Sequence, residues 1–306
     1  MSHMNEPTPP PSPLDPNKGL PAVVPPSGRH IVQLFLIPGL IVAGAVTILL
    51  GFSWLAGGNR TPEQFLKNID STNADVRWRA ANDLAQVLKR DDELAANVDF
   101  ALKIAERFSR ALDELERAER YLQDAGADPK DQAESRKSLV AQRNYVQYLA
   151  ASLGNFSIPV GAPLLCDVAA NGRGTDEKLR YTVRRGAVWA LANLGEGRKR
   201  FNRLPEERRA AVLRDLEVAA AGAGIASEWA KVALAGLKGE SMGVIAALAI
   251  CARDPRDIFL REQTAHALIF WDGTPEEQRL AEETLLLLVR DVGAGHNDRI
   301  ELKDGE

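Results

Sequence analysis

Cysteine and histidine are scarce in this chain of 306 residues, which contains two cysteines and four histidines. Two cysteines cannot build a disulfide framework or a cysteine-ligated metal site by themselves. The histidines are widely separated, and His266 lies inside a helical segment, where we expect a half-buried side chain rather than a ligand. The sequence therefore predicts no metal site and no cofactor.

An excess of charge of one sign is also missing, because the formal net charge is only −4. A dedicated nucleic-acid-binding domain usually carries a strongly basic surface, so we expect no nucleic-acid partner. The GxSxG, HExxH and P-loop motifs are absent as well. Catalysis needs convergent groups with perturbed pKa values, and the sequence shows no sign of them. We therefore predict no catalytic residue and no enzymatic activity.

Proline, by contrast, is concentrated at the N-terminus. Because proline lacks an amide donor and has a fixed φ, residues 1–30 are predicted to form a disordered, extended tail.

The following run, residues 31–55, contains no charged residue. About 20 apolar helical residues cross a bilayer, so this run predicts a transmembrane helix and a single-pass membrane protein, joined by a linker at 56–60 to the rest of the chain. Positive charges on the two sides are balanced, which leaves the orientation open.

Small residues recur at every fourth position of this run, at Gly39, Ala43, Thr47 and Gly51. That spacing places them on one face of a helix, where they would allow close packing of another membrane helix. The stripe is equally compatible with the ordinary composition of membrane helices. Self-association into a homo-oligomer, assembly into a membrane complex and chance therefore all stay open.

Helical patterns continue from residue 61 to residue 292, and the last residues, 293–306, are predicted to be a flexible tail. The segments TPEQ at Thr61–Gln64 and TPEE at Thr274–Glu277 are typical of helix starts, with threonine as cap and proline in the first turn. No segment alternates apolar and polar residues as a surface strand does. The sequence therefore predicts an all-α fold.

Five segments of this region resemble one another. They begin at Arg77, Arg143, Arg184, Ser227 and Arg261, so their starts are separated by 66, 41, 43 and 34 residues. The shorter separations suit a two-helix repeat unit. The longest separation contains an additional helical stretch at 92–154, which we interpret as an elongated helical hairpin.

Three of these segments resemble the second helix of HEAT repeats, in which Val-Arg, preceded by aspartate or a similar residue, is followed by small residues and leucine. The resemblance implies an α-solenoid of about five HEAT-like hairpins at 61–292. It also implies structural roles, bonding between adjacent repeats, for Asp75, Arg77, Arg184 and Arg261. The matching residues are Asp75, Val76, Arg77, Ala80, Ala81 and Leu84; Val183, Arg184, Ala187, Ala190, Leu191 and Gly195; and Leu260, Arg261, Ala265, Ala267 and Leu268.

Basic residues cluster in one segment, 173–209, which has eleven Lys or Arg and five acidic residues. One interpretation is a patch that binds an acidic partner or anionic lipid headgroups. The other is a solvated turn whose charges pair locally. The candidate patch comprises Arg198, Lys199, Arg200, Arg203, Arg208 and Arg209.

Together these features predict a membrane-anchored scaffold that binds a protein partner on its solenoid surface and lipid through one helix. The alternative is a structural subunit of a membrane complex that assembles through its transmembrane helix. Some proteins with HEAT-like repeats act as bilin lyases, so an enzyme of that type is a third and weaker hypothesis.

Overall fold

A computed structural model describes residues 28–56, 61–124, 129–174 and 176–293, and these contain thirteen α-helices and one short 3-10 helix. The chain divides into two compact units, Met1–Arg60 and Thr61–Glu306. Nearly all of the predicted tails at 1–30 and 293–306, and of the predicted linker at 56–60, lies outside the described residues.

The first unit contains helix α1, Gly28–Ala56. The predicted transmembrane helix at 31–55 is wrong, because no helix in the described part of the chain is long and apolar enough to cross a membrane. The predicted single-pass topology and membrane localisation are therefore wrong as well.

The stripe Gly39, Ala43, Thr47 and Gly51 lies on α1. Thr47 Oγ1 donates a hydrogen bond to the Ala43 carbonyl at 2.8 Å, so this side chain is satisfied within its own helix. A Cβ atom built on Gly39 or Gly51 would meet nothing within 4 Å among the described residues.

The second unit is built entirely from helices in its described residues, so the predicted all-α fold is confirmed. Its elements are α2 Pro62–Ile69, α3 Ala74–Leu88, α4 Asp92–Ala95, α5 Val98–Asp124, α6 Pro129–Asn155, the 3-10 turn Pro159–Gly161, α7 Ala162–Asn171, α8 Glu177–Arg203, α9 Glu206–Ala220, α10 Ile225–Leu237, α11 Val244–Ala252, α12 Ile258–Leu268 and α13 Pro275–Gly293.

Helix starts follow local chemistry. At α13 the Thr274 hydroxyl accepts from the Glu277 amide at 3.3 Å, and the Glu277 carboxylate accepts from the Thr274 amide at 3.0 Å. This reciprocal pair is the capping box that TPEE predicts. Thr61 precedes α2 without a side-chain cap bond, although Pro62 occupies the first turn.

Four helices lie side by side in a row, in the order α3, α6, α8, α12. Behind them lie α2, α5, α7 and α11, each packed on its own row helix. α13 packs against α11 and α12 at the end. This two-layer arrangement of antiparallel hairpins is compatible with a helical-repeat solenoid, in which each hairpin buries its apolar face only against its neighbours.

The hairpin α9–α10 departs from this order. α8 packs directly on α12, whereas α10 packs on α9, α5, α7 and the 3-10 turn. The segment at Ser227, which lies in α10, is therefore not a fifth member of the row. In α10, Trp229, Ala230 and Ala233 are buried, but outside the row. The stretch 92–154 contains α5 and nearly all of the row helix α6, and these two helices pack on each other.

Small residues allow the row helices to approach closely. A Cβ atom on Gly154 of α6 would lie 2.5 Å from the Ala190 carbonyl oxygen of α8. On the other side of α6, Ser152 donates to the Ala81 carbonyl at 3.0 Å and Asn155 to the Ala85 carbonyl at 2.8 Å. These buried bonds join α6 to α3 without leaving a polar group unsatisfied.

Candidate interaction surface

The row helices leave one side uncovered. On α8, Gly186 and Ala190 face α6, Gly195 approaches the Phe270 carbonyl after α12, and α7 covers the back. The remaining side of α8 carries Trp189, of which 49% is exposed. We call the uncovered side of the row the row face, defined by Trp78, Tyr148, Arg185, Trp189, Phe259, His266 and Phe270.

Aromatic rings meet on the row face at the seam between α8 and α12. The Trp189 and His266 rings stack with centroids 6.0 Å apart and an interplanar angle of 19°. His266 also contacts Phe270 edge-on, with centroids 5.0 Å apart. His266 is exposed, so the expectation of a half-buried histidine is wrong. His266 lies on the uncovered side of α12. The helical pattern of the sequence alone does not show which side of α12 stays uncovered.

A second aromatic pair lies at the seam between α3 and α6. The Trp78 and Tyr148 rings stack with centroids 5.8 Å apart and an interplanar angle of 21°. Trp78 Nε1 donates to Asp75 Oδ1 at 3.1 Å, and the Arg79 guanidinium lies 5.4 Å from the Trp78 ring. Both seams therefore present flat aromatic groups beside polar partners.

Arg185 connects the row face to the interior. Its guanidinium donates to both carboxylate oxygens of Asp257, at 2.7 to 3.0 Å, and it lies 5.1 Å from the Phe259 ring. Asp257 is buried and caps α12 by accepting from the Leu260 amide at 2.9 Å. Because a buried carboxylate needs a partner, this bidentate pair fixes Arg185 and the start of α12 together.

Two of the predicted ladder arginines reach the neighbouring hairpin. Arg77 donates to Glu114 of α5 at 2.9 Å and to Gln142 of α6 at 3.4 Å, and its guanidinium lies 4.3 Å from the Tyr145 ring. Arg184 donates to the Ala169 carbonyl at 2.8 Å and to the Asp254 carboxylate.

The Arg184–Asp254 pair is nearly inaccessible to solvent, with 7% and 10% of the two side chains exposed. Burial alone would raise the pKa of Asp254, but hydrogen bonds from Arg184 and from the Arg256 amide outweigh it and lower that pKa. Burial likewise would lower the pKa of Arg184, and Asp254 reverses the direction. The two groups therefore keep each other charged.

The other predicted ladder residues bond more locally. Arg261 donates to the Ala252 carbonyl at 3.2 Å, at the end of the α11 helix in its own hairpin. Asp75 is exposed and accepts from Trp78, while the cap of α3 is Asn73, whose side chain accepts from the Asp75 and Val76 amides.

The candidate basic patch is not one continuous surface, because two of its arginines bind helix ends. Arg200 donates to the Leu88 carbonyl at 3.0 Å, the Lys89 carbonyl at 3.2 Å and the Asn155 carbonyl at 2.8 Å. These carbonyls end α3 and α6, where no helical donor remains for them. Arg198 donates to the Gly236 carbonyl of α10 at 3.0 Å, and burial lowers its pKa.

The remaining patch residues differ in exposure. Arg208 is exposed and pairs with Glu93 at 2.8 Å, and Arg209 is half-buried. Lys199 is exposed and lies 5.8 Å from the Phe270 ring, which places it at the margin of the row face. Arg203 is exposed. Arg198 and Arg200 thus donate hydrogen bonds to backbone carbonyls. This weakens the interpretation of the patch as a binding site for an acidic partner.

Neither cysteine thiol is suited to act as a nucleophile. Burial raises the pKa of Cys166 to about 12, with Cys251 and Asp167 nearby adding to the effect. Burial also raises the pKa of Cys251 to about 11, although Arg184 opposes it. The Cys251 thiol donates to the Ala169 carbonyl at 3.1 Å. A thiol with such a pKa is almost wholly protonated at neutral pH and is a poor nucleophile.

The sequence interpretation missed Trp189, Arg185 and the acids Asp254 and Asp257. For Trp189 a signal existed, because it is the large apolar residue in a polar stripe of α8 that includes Thr182, Asn193 and Glu196. For the two acids no signal existed, since their partners lie about 70 residues earlier in the chain.

Comparison with known proteins adds no family to this description. No protein-family model matches the chain, and no curated protein matches it.

Proposed function

We propose that this protein is a non-catalytic scaffold of the HEAT-repeat type that binds a protein partner on the row face. The single observation that carries the proposal is the exposed Trp189, stacked on His266 in a side of the row that no described helix of the second unit covers. Exposed tryptophan is costly to leave in water and is enriched at the centres of protein interfaces.

The polar surroundings of Trp189 support a specific contact. Arg185 is already neutralised by Asp257, so binding an apolar partner beside it does not strand an unpaired charge. Lys199 and the polar stripe of α8 provide the hydrophilic margin that surrounds the apolar centre of most interfaces. A partner with an exposed aliphatic or aromatic side chain fits this chemistry.

The HEAT-type assignment is supported by the two-layer row and by Arg77 and Arg184, which bond to adjacent hairpins. In repeat proteins of this kind the long surfaces formed by stacked helices are used for binding.

Site-specific photo-crosslinking tests the proposal in the full chain expressed in its native cells. A benzoyl-phenylalanine at position 189 is expected to form one dominant protein adduct. The matched control is position 218 on α9, where Val218 is 75% exposed, and where no such adduct is expected. Trp189→Ala should weaken binding of the purified partner by about 2 kcal/mol, that is about thirtyfold. Equal adducts at 189 and 218, or no adduct at 189, would contradict the proposal.

A further inference from the structure

A pocket of about 340 Å³ lies where the end of α7, the start of α8 and the end of α11 meet. Its charged and hydroxyl-bearing lining residues are Arg180, Tyr181, Arg184, Arg253, Asp254 and Arg256. Four arginines therefore face one carboxylate, in a chain whose net charge is negative. We propose that this pocket, here called the arginine pocket, binds a phosphate group of a small soluble ligand.

The positive charge of the pocket is only partly neutralised. Arg184 and Asp254 neutralise each other in their buried pair. Arg256 lies 3.6 Å from Glu177 and 3.8 Å from Asp254, but its own side chain is 62% exposed, so solvent weakens both pairs. Among the described residues, the Arg253 side chain makes one hydrogen bond, to the Ala249 carbonyl at 3.0 Å. A guanidinium has five N–H donors, so most donors of Arg253 are left for a ligand.

The Arg180 guanidinium makes no hydrogen bond or ion pair with any residue that the structure describes, although the Arg180 amide donates to the Asp176 carbonyl and the residue lines the pocket. A Cβ atom on Gly172, which has φ of +70°, would lie 2.5 Å from Arg180 Cγ and 3.1 Å from Arg184 Cδ. The absence of a side chain at Gly172 therefore lets both arginines lie against the loop backbone. The Arg180 side chain thus lies at the pocket without an ion-pair partner among the described residues.

Tyr181 supplies an independent indication of a ligand. Its hydroxyl oxygen is buried and has no hydrogen-bond partner among the described residues. A buried hydroxyl without a partner costs about 1–3 kcal/mol, so such groups are normally satisfied. Burial, with Asp254 nearby, raises the pKa of Tyr181, so the hydroxyl stays protonated and can donate to an anion.

These donors favour a tetrahedral dianion. Arg180, on α8, and Arg253, directly after α11, contribute two positive charges that have no ion-pair partner among the described residues, and a phosphate monoester carries about two negative charges at neutral pH. Its several oxygens can accept from guanidinium groups on different segments at once. A carboxylate has one charge and two oxygens, so it would leave part of this donor set unused.

Isothermal titration of the full-length protein with inorganic phosphate, at pH 7.5 and with ionic strength held constant by chloride, tests the proposal. We expect saturable binding at one site per chain, and much weaker binding of acetate. Arg180→Gln should weaken phosphate binding about tenfold or more, and Tyr181→Phe by a smaller factor. Arg214→Gln, at an exposed position of α9, is the matched control and should leave binding unchanged.

Thermal unfolding of each variant shows whether it is folded, and Arg253→Gln replaces Arg180→Gln if the latter does not fold. Absence of saturable phosphate binding would overturn the proposal. Equal loss in the Arg180→Gln and Arg214→Gln variants, or equal affinity for acetate and phosphate, would overturn it too, because either result indicates unspecific attraction. Trp189→Ala should not affect phosphate binding, so the pocket and the row face are tested separately.

Discussion

Arg184 of α8 and Asp254, which follows α11, form a buried ion pair between two hairpins that are adjacent in space but 70 residues apart in the chain. Arg184 also bonds the Ala169 carbonyl at the end of α7. One guanidinium therefore joins three segments, and either partner alone would be a buried, uncompensated charge.

Replacing Asp254 with asparagine is expected to lower the free energy of unfolding at pH 7 by about 3 kcal/mol, because Arg184 loses its counter-ion. The pKa of Asp254 is lowered by folding from its ordinary value of 3.8. Its stabilisation is therefore fully present above about pH 4 and is lost as the pH falls through the folded-state pKa. Urea unfolding at pH 7 and at successively lower pH should show the difference between wild type and variant shrinking below pH 4. A difference that does not change with pH would contradict this assignment.

The contact between α6 and α8 depends on Gly154. Gly154→Ala would place a methyl group 2.5 Å from the Ala190 carbonyl oxygen, so the two helices must separate. We expect a loss of about 2 kcal/mol or more in unfolding free energy, measured by chemical denaturation. Gly186→Ala is the control within the same helix pair, because its nearest neighbour would be Gln147 Cγ at 4.0 Å. Alanine is the better helix former, so that control should be neutral or slightly stabilising. If both variants lost stability equally, close packing would not be the cause.

A matched pair of substitutions distinguishes a patch arginine that stabilises the fold from one that does not. Arg200→Ala removes the donor for carbonyls at the ends of α3 and α6 and should cost about 2 kcal/mol. Arg203→Ala, three residues later on the exposed side of α8, should change stability by less than about 0.5 kcal/mol. Differential scanning calorimetry of both variants provides the comparison. Similar melting temperatures would show that the Arg200 bonds contribute little.

The two thiols are expected to report opening of the fold. With pKa values of about 12 and 11, only roughly one thiol in a thousand or fewer is ionised at pH 8. Native protein should therefore react slowly with a disulfide reagent, and two thiols should react at once in denaturant. Rapid labelling of the native protein would show that the α7–α11 contact is open in solution.

The features of the second unit that the sequence could predict depend on interactions between residues that are close together in the chain. The capping box at Thr274 and Glu277 forms between residues three apart, and the apolar spacing of α5 and α8 follows the helical period. The all-α fold and the two-helix units depend on such near neighbours. The wrong transmembrane prediction also started from a local property, the apolar run at 31–55, but no helix in the described residues is long and apolar enough to cross a membrane.

The order of residues is sufficient to predict helices from residue 61 onward and small residues where helices must pack closely. The packing of α8 on α12, and the position of α10 outside the row, are visible only in the folded chain, although both helices carry similar patterns. The same holds for Arg200, which binds helix ends, and for Arg180, which lines a pocket. The physical reason is that helical periodicity specifies which side of a helix is apolar. Which distant segment covers that side, and which polar groups remain uncovered, depends on shape and charge matching across the whole chain.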